Sequence, residues 1–356
     1  MPSTIHRVHA REILDGRGMP TLEVDVELEG GAFGRAAVPG GAPAGPGGLV
    51  QVRDGDAGRY LGMGVTKAVK NVTMLIGPKI AGMDARDQAG IDETIAGLDG
   101  TPTRRRLGAG AILGVSLAVA KAAAARADLP LYRYLGGAAA RVLPVPMCTV
   151  LGGGSGNADL RELLVVPMGA PSFSEGLRIA AEVFQALRAV LERKGLSAGV
   201  GDAGGFSPTL AGGDAEAMRL VLRAVKAAGH KAGKDVGLAV GAEAGRPGRG
   251  GRNVPPGAKR KPADDDTGVL VRIDQAATLT ETLAAIDAAR RAGRAVVIGC
   301  SPGETEDTTA ADLAVATGAG RIRTGGLGGS SGAAKCNRLL RIEEELGDSA
   351  LYGDFL

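Results

Sequence analysis

Tryptophan is absent from the 356 residues, and the three aromatic residue types together make up only 3%. A core built from this chain has to rely on small and branched aliphatic side chains. The 59 glycines add backbone entropy that folding must overcome. Only three cysteines occur, Cys148, Cys300 and Cys336, widely spaced and without a C-x-x-C pair. That argues against a disulfide framework and for a reducing, cytoplasmic setting. A charge excess is missing as well: 42 Lys and Arg against 39 Asp and Glu leave +3, too little to argue for a nucleic-acid or membrane partner. No run approaches the ~18 apolar residues of a membrane span, and the start, MPSTIHRVHAREILDG, lacks the basic-then-apolar pattern of a signal. A soluble protein is expected.

What is present is organised in two parts. Residues 21–28 alternate Leu22, Val24, Val26 and Leu28 with Glu23, Asp25 and Glu27, the period-two pattern of a half-buried strand. Glu29, Gly30, Gly31 and Ala32 supply a turn, and residues 33–38 read as the return strand of a hairpin. Helical segments follow, the clearest being the alanine-rich 111–126, stopped near Pro130. These make a first α+β domain over residues 1–136. Beyond Gly137 strand-like runs at 143–147, 163–167, 236–240, 269–273, 295–298 and 321–324 alternate with helices. The best-marked helix starts at Ser172, Phe173, Ser174 and Glu175, a capping box, and puts Ile179, Val183, Leu187 and Leu191 on one face. Others are read at 215–228 and 279–292. The alternation predicts a parallel sheet, and a second domain over 137–356 sits at the low end for a βα-barrel, about 200 to over 400 residues. Residues 245–268 break the pattern. They are rich in Gly and Pro, carry six Lys and Arg and then three Asp, and offer one lone Val254. Such a segment cannot bury a face and reads as a disordered, flexible insert.

Nine stretches carry a resemblance: AREILDGRGMPTLEVDVELEGGAFGRAAVP, RLGAGAILGVSLAVAKAAAA, LPLYRYLGG, VLPVPM, MGAPSFSE, GVGDAGGFSP, TLTETLAAI, GETEDTTAADLAVATGAG and LLRIEEELGD. Together they resemble the enolase (phosphopyruvate hydratase) family, run in its order from Arg11 to Asp348, and cover most of the chain except 245–268. The resemblance implies an α/β protein, with an N-terminal α+β cap domain followed by a modified and here incomplete enolase-type βα-barrel. It also implies a carbon–oxygen lyase of glycolysis that dehydrates 2-phosphoglycerate to phosphoenolpyruvate, with Mg²⁺ as cofactor, and a homodimer.

The family's chemistry uses a lysine base, a glutamic acid and two Mg²⁺ that hold an ene-diolate. At the base position the family's LVKVNQ is LVRIDQ, which places Arg272 there. An arginine, with a pKa above about 12, has no neutral form to accept a proton. The acid of GVGDEGGF is replaced by Ala203, next to Asp202. The first metal-binding aspartate, at the end of GLAV, is Gly241. The IEDG and GDD motifs that carry the other two do not occur in the chain. Two barrel strands are therefore missing with them, and Mg²⁺, which wants octahedral oxygen ligands, has little to hold it. The family's Ser-His-Arg-Ser run before GETED is Gly299, Cys300, Ser301 and Pro302, so the phosphate-holding arginine is lost. The lid SGAST reads Gly40, Gly41, Ala42, Pro43 and Ala44, and a His-bearing loop is shortened to 152–157. Glu162, Asp202 and Arg323 survive at family-equivalent positions, the last where the family has a lysine.

Each survivor also has a plainer reading. Glu162 is either an acid or base at a strand end or a salt-bridged carboxylate, and the loss of its partners favours the second. Asp202 among glycines serves as readily to cap a turn. Cys300 has no histidine partner that would make it a nucleophile and reads as a small filler. His6, His9 and His230 are not at metal-ligand spacing. The glycine runs 40–48 and 325–332 lack the Lys-Ser/Thr of a phosphate cradle and read as mobile loops. Lys259, Arg260 and Lys261 read as solvated charges rather than a polyanion site, and Asp264, Asp265 and Asp266 on such a loop are not a preorganised metal site. The sequence thus reads as an enolase-family protein with impaired or absent catalysis, a pseudoenzyme without bound Mg²⁺. One alternative is an active phosphopyruvate hydratase or a lyase on a related small phosphorylated acid. Another is a polyanion-binding interaction protein. Membrane and nucleic-acid partners are not expected.

Overall fold

The computed structural model describes residues 2–41, 47–152, 162–241, 252–253 and 268–353. The sequence readings at 42–46, at 153–157, at Lys259 to Lys261, at Asp264 to Asp266, and for all of the 245–268 insert except Arg252, Asn253 and Gly268 lie outside these residues. The chain divides into two compact units. The first comprises Met1–Ala139, Val271–Ala288 and Cys300–Ala316; the second comprises Ala140–Leu270, Ala289–Gly299 and Thr317–Leu356.

The first unit opens with three antiparallel strands, β1 (Ile5–Leu14), β2 (Pro20–Leu28) and β3 (Phe33–Ala37), in the order β1-β2-β3. The expected hairpin joins β2 to β3: Leu28 N donates to Ala32 O at 2.9 Å, and Gly31 takes the positive φ of 80° that the turn requires. Strand β1 escaped the sequence reading, because His, Arg and Glu interrupt its apolar positions. Helices α1 (Thr66–Asn71), α2 (Gly77–Ile80), α3 (Gln88–Asp99), α4 (Ala109–Arg126) and α5 (Leu131–Gly136) follow. Contrary to the expectation from sequence, α4 is long and apolar enough by composition to cross a membrane. Most of it is instead buried within this unit, where β3 lies against it. Gly34 makes that approach possible, since a Cβ there would stand 2.1 Å from Ala118 O and 2.3 Å from Ala122 N.

The second unit holds β4 (Val142–Leu143), β5 (Val145–Leu151), β6 (Leu163–Val166), α6 (Phe173–Arg193), α7 (Gly213–Ala227), β7 (Gly237–Val240) and β8 (Arg252–Asn253). The chain continues through β9 (Val269–Arg272), α8 (Leu279–Arg291), β10 (Val296–Gly299), α9 (Thr309–Thr317), β11 (Arg321–Gly326), α10 (Ser330–Leu346) and β12 (Leu351–Tyr352), with most of α8 and α9 belonging to the first unit. Seven of the strands form one sheet in the order β8-β7-β6-β5-β11-β10-β9. Among the described residues no ladder joins β9 back to β7 or β8. The sheet is not wholly parallel as the alternation predicted. β10, β11 and β5 are parallel, whereas β5–β6, β6–β7 and β7–β8 are antiparallel. The reason is connectivity: no described helix lies between β5 and β6, and the two helices α6 and α7 between β6 and β7 return the chain to the same end of the sheet.

Helix α6 starts as read. Ser172 Oγ accepts from Glu175 N at 3.2 Å, while Glu343 accepts from Phe173 N and Ser174 N at 2.6 and 2.9 Å. Ile179, Val183, Leu187 and Leu191 are all buried, in a layer with Cys148, Val150, Leu163 and Val165 from one face of the sheet. The other face carries a smaller cluster of Val145, Met147, Leu164, Val166, Ala239 and Val297. The strand period of two thus alternates the side chains of β5 between the faces up to Val150, and the register shift between Thr149 and Leu151 turns Leu151 to the side of Val150.

Candidate functional site

Glu162 stands one residue before β6, where that strand begins between the ends of β5 and β7: Leu163 is paired with Leu151 on one side and with Val240 on the other. Its backbone carbonyl accepts from Gly241 N at 2.7 Å. Among the described residues its carboxylate is shared between two neighbours. Thr149 Oγ1 on β5 donates to one oxygen, and the Arg323 guanidinium on β11 pairs with the other. Both side chains of the ion pair are largely withdrawn from solvent, Arg323 at 19% and Glu162 at 18% exposure. Burial pushes the Arg323 guanidinium down from its ordinary value, yet a guanidinium so placed stays charged. Two donors among the described residues, one of them cationic, thus occupy both oxygens of the Glu162 carboxylate.

Gly241 completes this cluster. A Cβ at that position would lie 2.9 Å from Glu162 Oε2 and 3.2 Å from Arg323 Nη2. A side chain at 241 therefore has to displace the ion pair. The structure thus brings together three residues that the sequence singles out separately, Glu162, Arg323 and Gly241, and adds Thr149, which the sequence reading missed. Its signal is the alternation along β5, which puts it on the face opposite Cys148.

Asp202 and Ala203 are exposed on the loop that precedes Phe206. The loop folds on itself through Gly201 N to Gly205 O at 2.9 Å and is tied to the end of β11 through Gly326 N to Ala203 O at 2.7 Å. Gly204, at φ 78°, and Gly326 touch backbone to backbone: a Cβ on Gly326 would stand 2.0 Å from Gly204 C. The glycine run 325–332, expected to be a mobile loop, is corrected here. It comprises the end of β11, a short turn and the start of α10, and its glycines serve this close packing.

Arg272 and Cys300 belong to the first unit. Arg272 ends β9 with its Nε 3.1 Å from Asp274 Oδ1. Cys300 is half-buried, and the following Ser301 donates its backbone N to Glu304 at 2.6 Å. The same segment holds the first two residues of the glycine run 40–48: Gly40 N donates to Gly303 O at 2.8 Å and Gly41 N to Pro302 O at 3.0 Å. Arg17, paired with Asp15 at 2.8 Å, also donates to Gly41 O at 3.1 Å. His230 Nε2 lies 2.9 Å from Glu182, and among the described residues no group of three or more His, Cys, Asp or Glu could hold a metal ion.

These features define a two-unit α/β protein whose sheet gathers polar side chains where the ends of β5, β7 and β11 meet the start of β6. Family models agree on which protein class this is: "Enolase, N-terminal domain" matches residues 5–135, and "Enolase, C-terminal TIM barrel domain" matches residues 140–245 and 257–354. The chain belongs to the enolase family.

Proposed function

We propose that this chain is an enolase-like protein that does not dehydrate 2-phosphoglycerate at a significant rate and acts without Mg²⁺. The observation that carries this reading is the closed Thr149–Glu162–Arg323 cluster against Gly241. Gly241 brings no oxygen donor where the resemblance sets a metal ligand, and the nearest carboxylate is committed to a guanidinium. A hard divalent cation would have to compete with a fixed positive charge, and among the described residues it would find one carboxylate there instead of the several it needs. This donor set does not fit Mg²⁺. Arg272 and Ala203 at the positions of the base and the acid support the same reading, since neither can move a proton. Asp202, Arg323 and Glu162 are then framework groups rather than acids or bases, and Cys300 is a filler. We place the protein in the cytoplasm on its cysteine usage, and as a homodimer on family membership.

The test is phosphoenolpyruvate formation by the purified protein with millimolar Mg²⁺, followed alongside its melting temperature. No product should form, and Mg²⁺ should leave the melting temperature unchanged, because only a ligand that binds the native state raises it. Steady turnover, or a rise that a chelator reverses, would return the chain to the active lyases.

A further inference from the structure

Helix α1, a π-helical turn at Val72–Ile76 and α2 form one unbroken helical run over residues 66–80 of the first unit. Its inner side is regular: Ala68, Val72, Ile76 and Ile80, four residues apart, are all buried. Its outer side departs from the polar face expected of a surface helix. Met74 and Leu75 stand there at 69% and 46% exposure, with the exposed Lys70 four residues before Met74 and the exposed Lys79 four residues after Leu75. Asn71 Nδ2 donates to Leu107 O at 2.9 Å, which seats the exposed Arg105 and Arg106 beside the same turn. No Asp or Glu occurs between Asp56 and Asp84. The neighbouring carboxylates are already engaged: Asp54 accepts from Thr66 N and Lys67 N, Glu12 pairs with Arg59, and Asp99 accepts from Arg106 N and Leu107 N. Among the described residues no carboxylate pairs with Lys70, Lys79, Arg105 or Arg106.

We propose that this ridge docks the protein on the surface of an anionic lipid bilayer, with the four cations at the headgroups and Met74 and Leu75 entering the apolar layer beneath them. A bilayer supplies both halves of the match, negative charge for the cations and an apolar phase for the two side chains between them. A side chain as exposed as Met74 projects from the surface instead of lining a groove that could hold a peptide segment. The ridge also offers no aromatic side chain on which a nucleic-acid base could stack. The total charge of +3 gives no sign of the patch because the cations are gathered locally, and each Lys or Arg near such a surface strengthens binding about fivefold. The contact is peripheral, since the buried side of the run stays within its own unit.

The experiment sediments the full chain with sucrose-loaded vesicles of phosphatidylcholine and phosphatidylserine, or of phosphatidylcholine alone. Expected is retention on the mixed vesicles only, weakening as salt is raised. Lys70→Glu and the double variant Met74→Ser, Leu75→Ser should each lower retention about tenfold or more, while Lys226→Glu, at the exposed end of α7 in the second unit, should leave it unchanged. All four side chains are exposed, so the melting temperatures should match that of the unsubstituted chain. Retention on neither vesicle type or equally on both overturns the proposal. So does an unaltered double variant, the result of simple polyanion binding, or an equal loss in Lys226→Glu. Where a variant fails to fold, oxidative footprinting of the unsubstituted chain decides. The mixed vesicles should shield Met74 and leave Met168, 44% exposed in the second unit, as reactive as before; shielding of neither or of both refutes docking at this ridge.

Discussion

Replacing Asp307 should be among the most damaging single changes in the first unit. Its carboxylate accepts from Lys121 Nζ at 2.6 Å, from Ala37 N at 3.0 Å and from Thr309 N and Oγ1 at 2.8 and 2.5 Å. Asp307→Ala leaves a half-buried ammonium without its counter-charge and two backbone N–H groups without an acceptor. Breaking a buried pair by removing one partner costs about 3–5 kcal/mol. At about 2–4 °C per kcal/mol for a unit of this size, the melting temperature should fall by roughly 6–20 °C. The pH dependence gives a second handle. Burial pushes the Asp307 carboxyl up, but Lys121 and the Thr309 donors outweigh it and leave it below the ordinary range. A carboxylate with a folded pKa below its unfolded value of about 3.9 contributes stability that is fully present above that value and is lost as pH falls through the folded one. Urea denaturation followed by circular dichroism should therefore show a gap between the unsubstituted chain and Asp307→Asn that is constant from about pH 5 to 8 and narrows below about pH 4. A loss under 1 kcal/mol, or a gap that does not change with pH, would refute the reasoning.

Two further outcomes are expected. Arg272→Lys, Ala203→Glu and Gly241→Asp, made singly, should restore no phosphoenolpyruvate formation, because groups that act as a unit are strongly non-additive; turnover in any one of them would show that a cation site persists. Hydrogen exchange should rank the sheet, with the buried inner strands β5 and β6 slowest, and Val269–Arg272 fastest because β9 is the last strand in the order. Strand β7 should fall between, since β8 pairs with it only at Ala239 and Val240. Equal protection at β6 and β9 would mean that β9 has a partner on its outer side.

Much of the fold was legible in the sequence because its signals are local. The period-two run in β2, the turn at Gly31 and the Ser172 cap all specify backbone within a few residues, and the structure follows them. The direction of β6 was not legible, because it depends on how many helices separate successive strands rather than on any residue within it. The candidate site divides in the same way. Family motifs point to Glu162, Gly241 and Arg323 one at a time, but their meeting depends on the neighbour order β7-β6-β5-β11, which brings residue 323 beside residue 162. Pairing of that kind between distant segments leaves no pattern along the chain.

The motifs that carry the family resemblance do structural work in this chain. In TLTETL, Thr280 N and Oγ1 donate to Asp92 at 3.0 and 2.6 Å, Leu279 N donates to Ser116 at 2.9 Å, and Glu281 pairs with Arg104 at 2.7 Å. GETEDTT supplies Asp307, and RIEEEL supplies the Glu343 that caps α6. Loss of the buried members of this set, Asp92, Ser116 or Asp307, leaves donors without an acceptor at a cost of about 1–3 kcal/mol each, which is a large share of a marginal stability. Of the positions that the resemblance singles out for chemistry, 203 is under no such constraint, whereas 241 has room for little beyond glycine. Alanine at 203 is exposed, and glycine at 241 relieves the crowding that any side chain would meet beside Glu162 and Arg323. Folding alone thus suffices to hold the framework motifs in place. A match to the family's framework accordingly establishes the fold, and only the groups at the strand ends can establish the reaction.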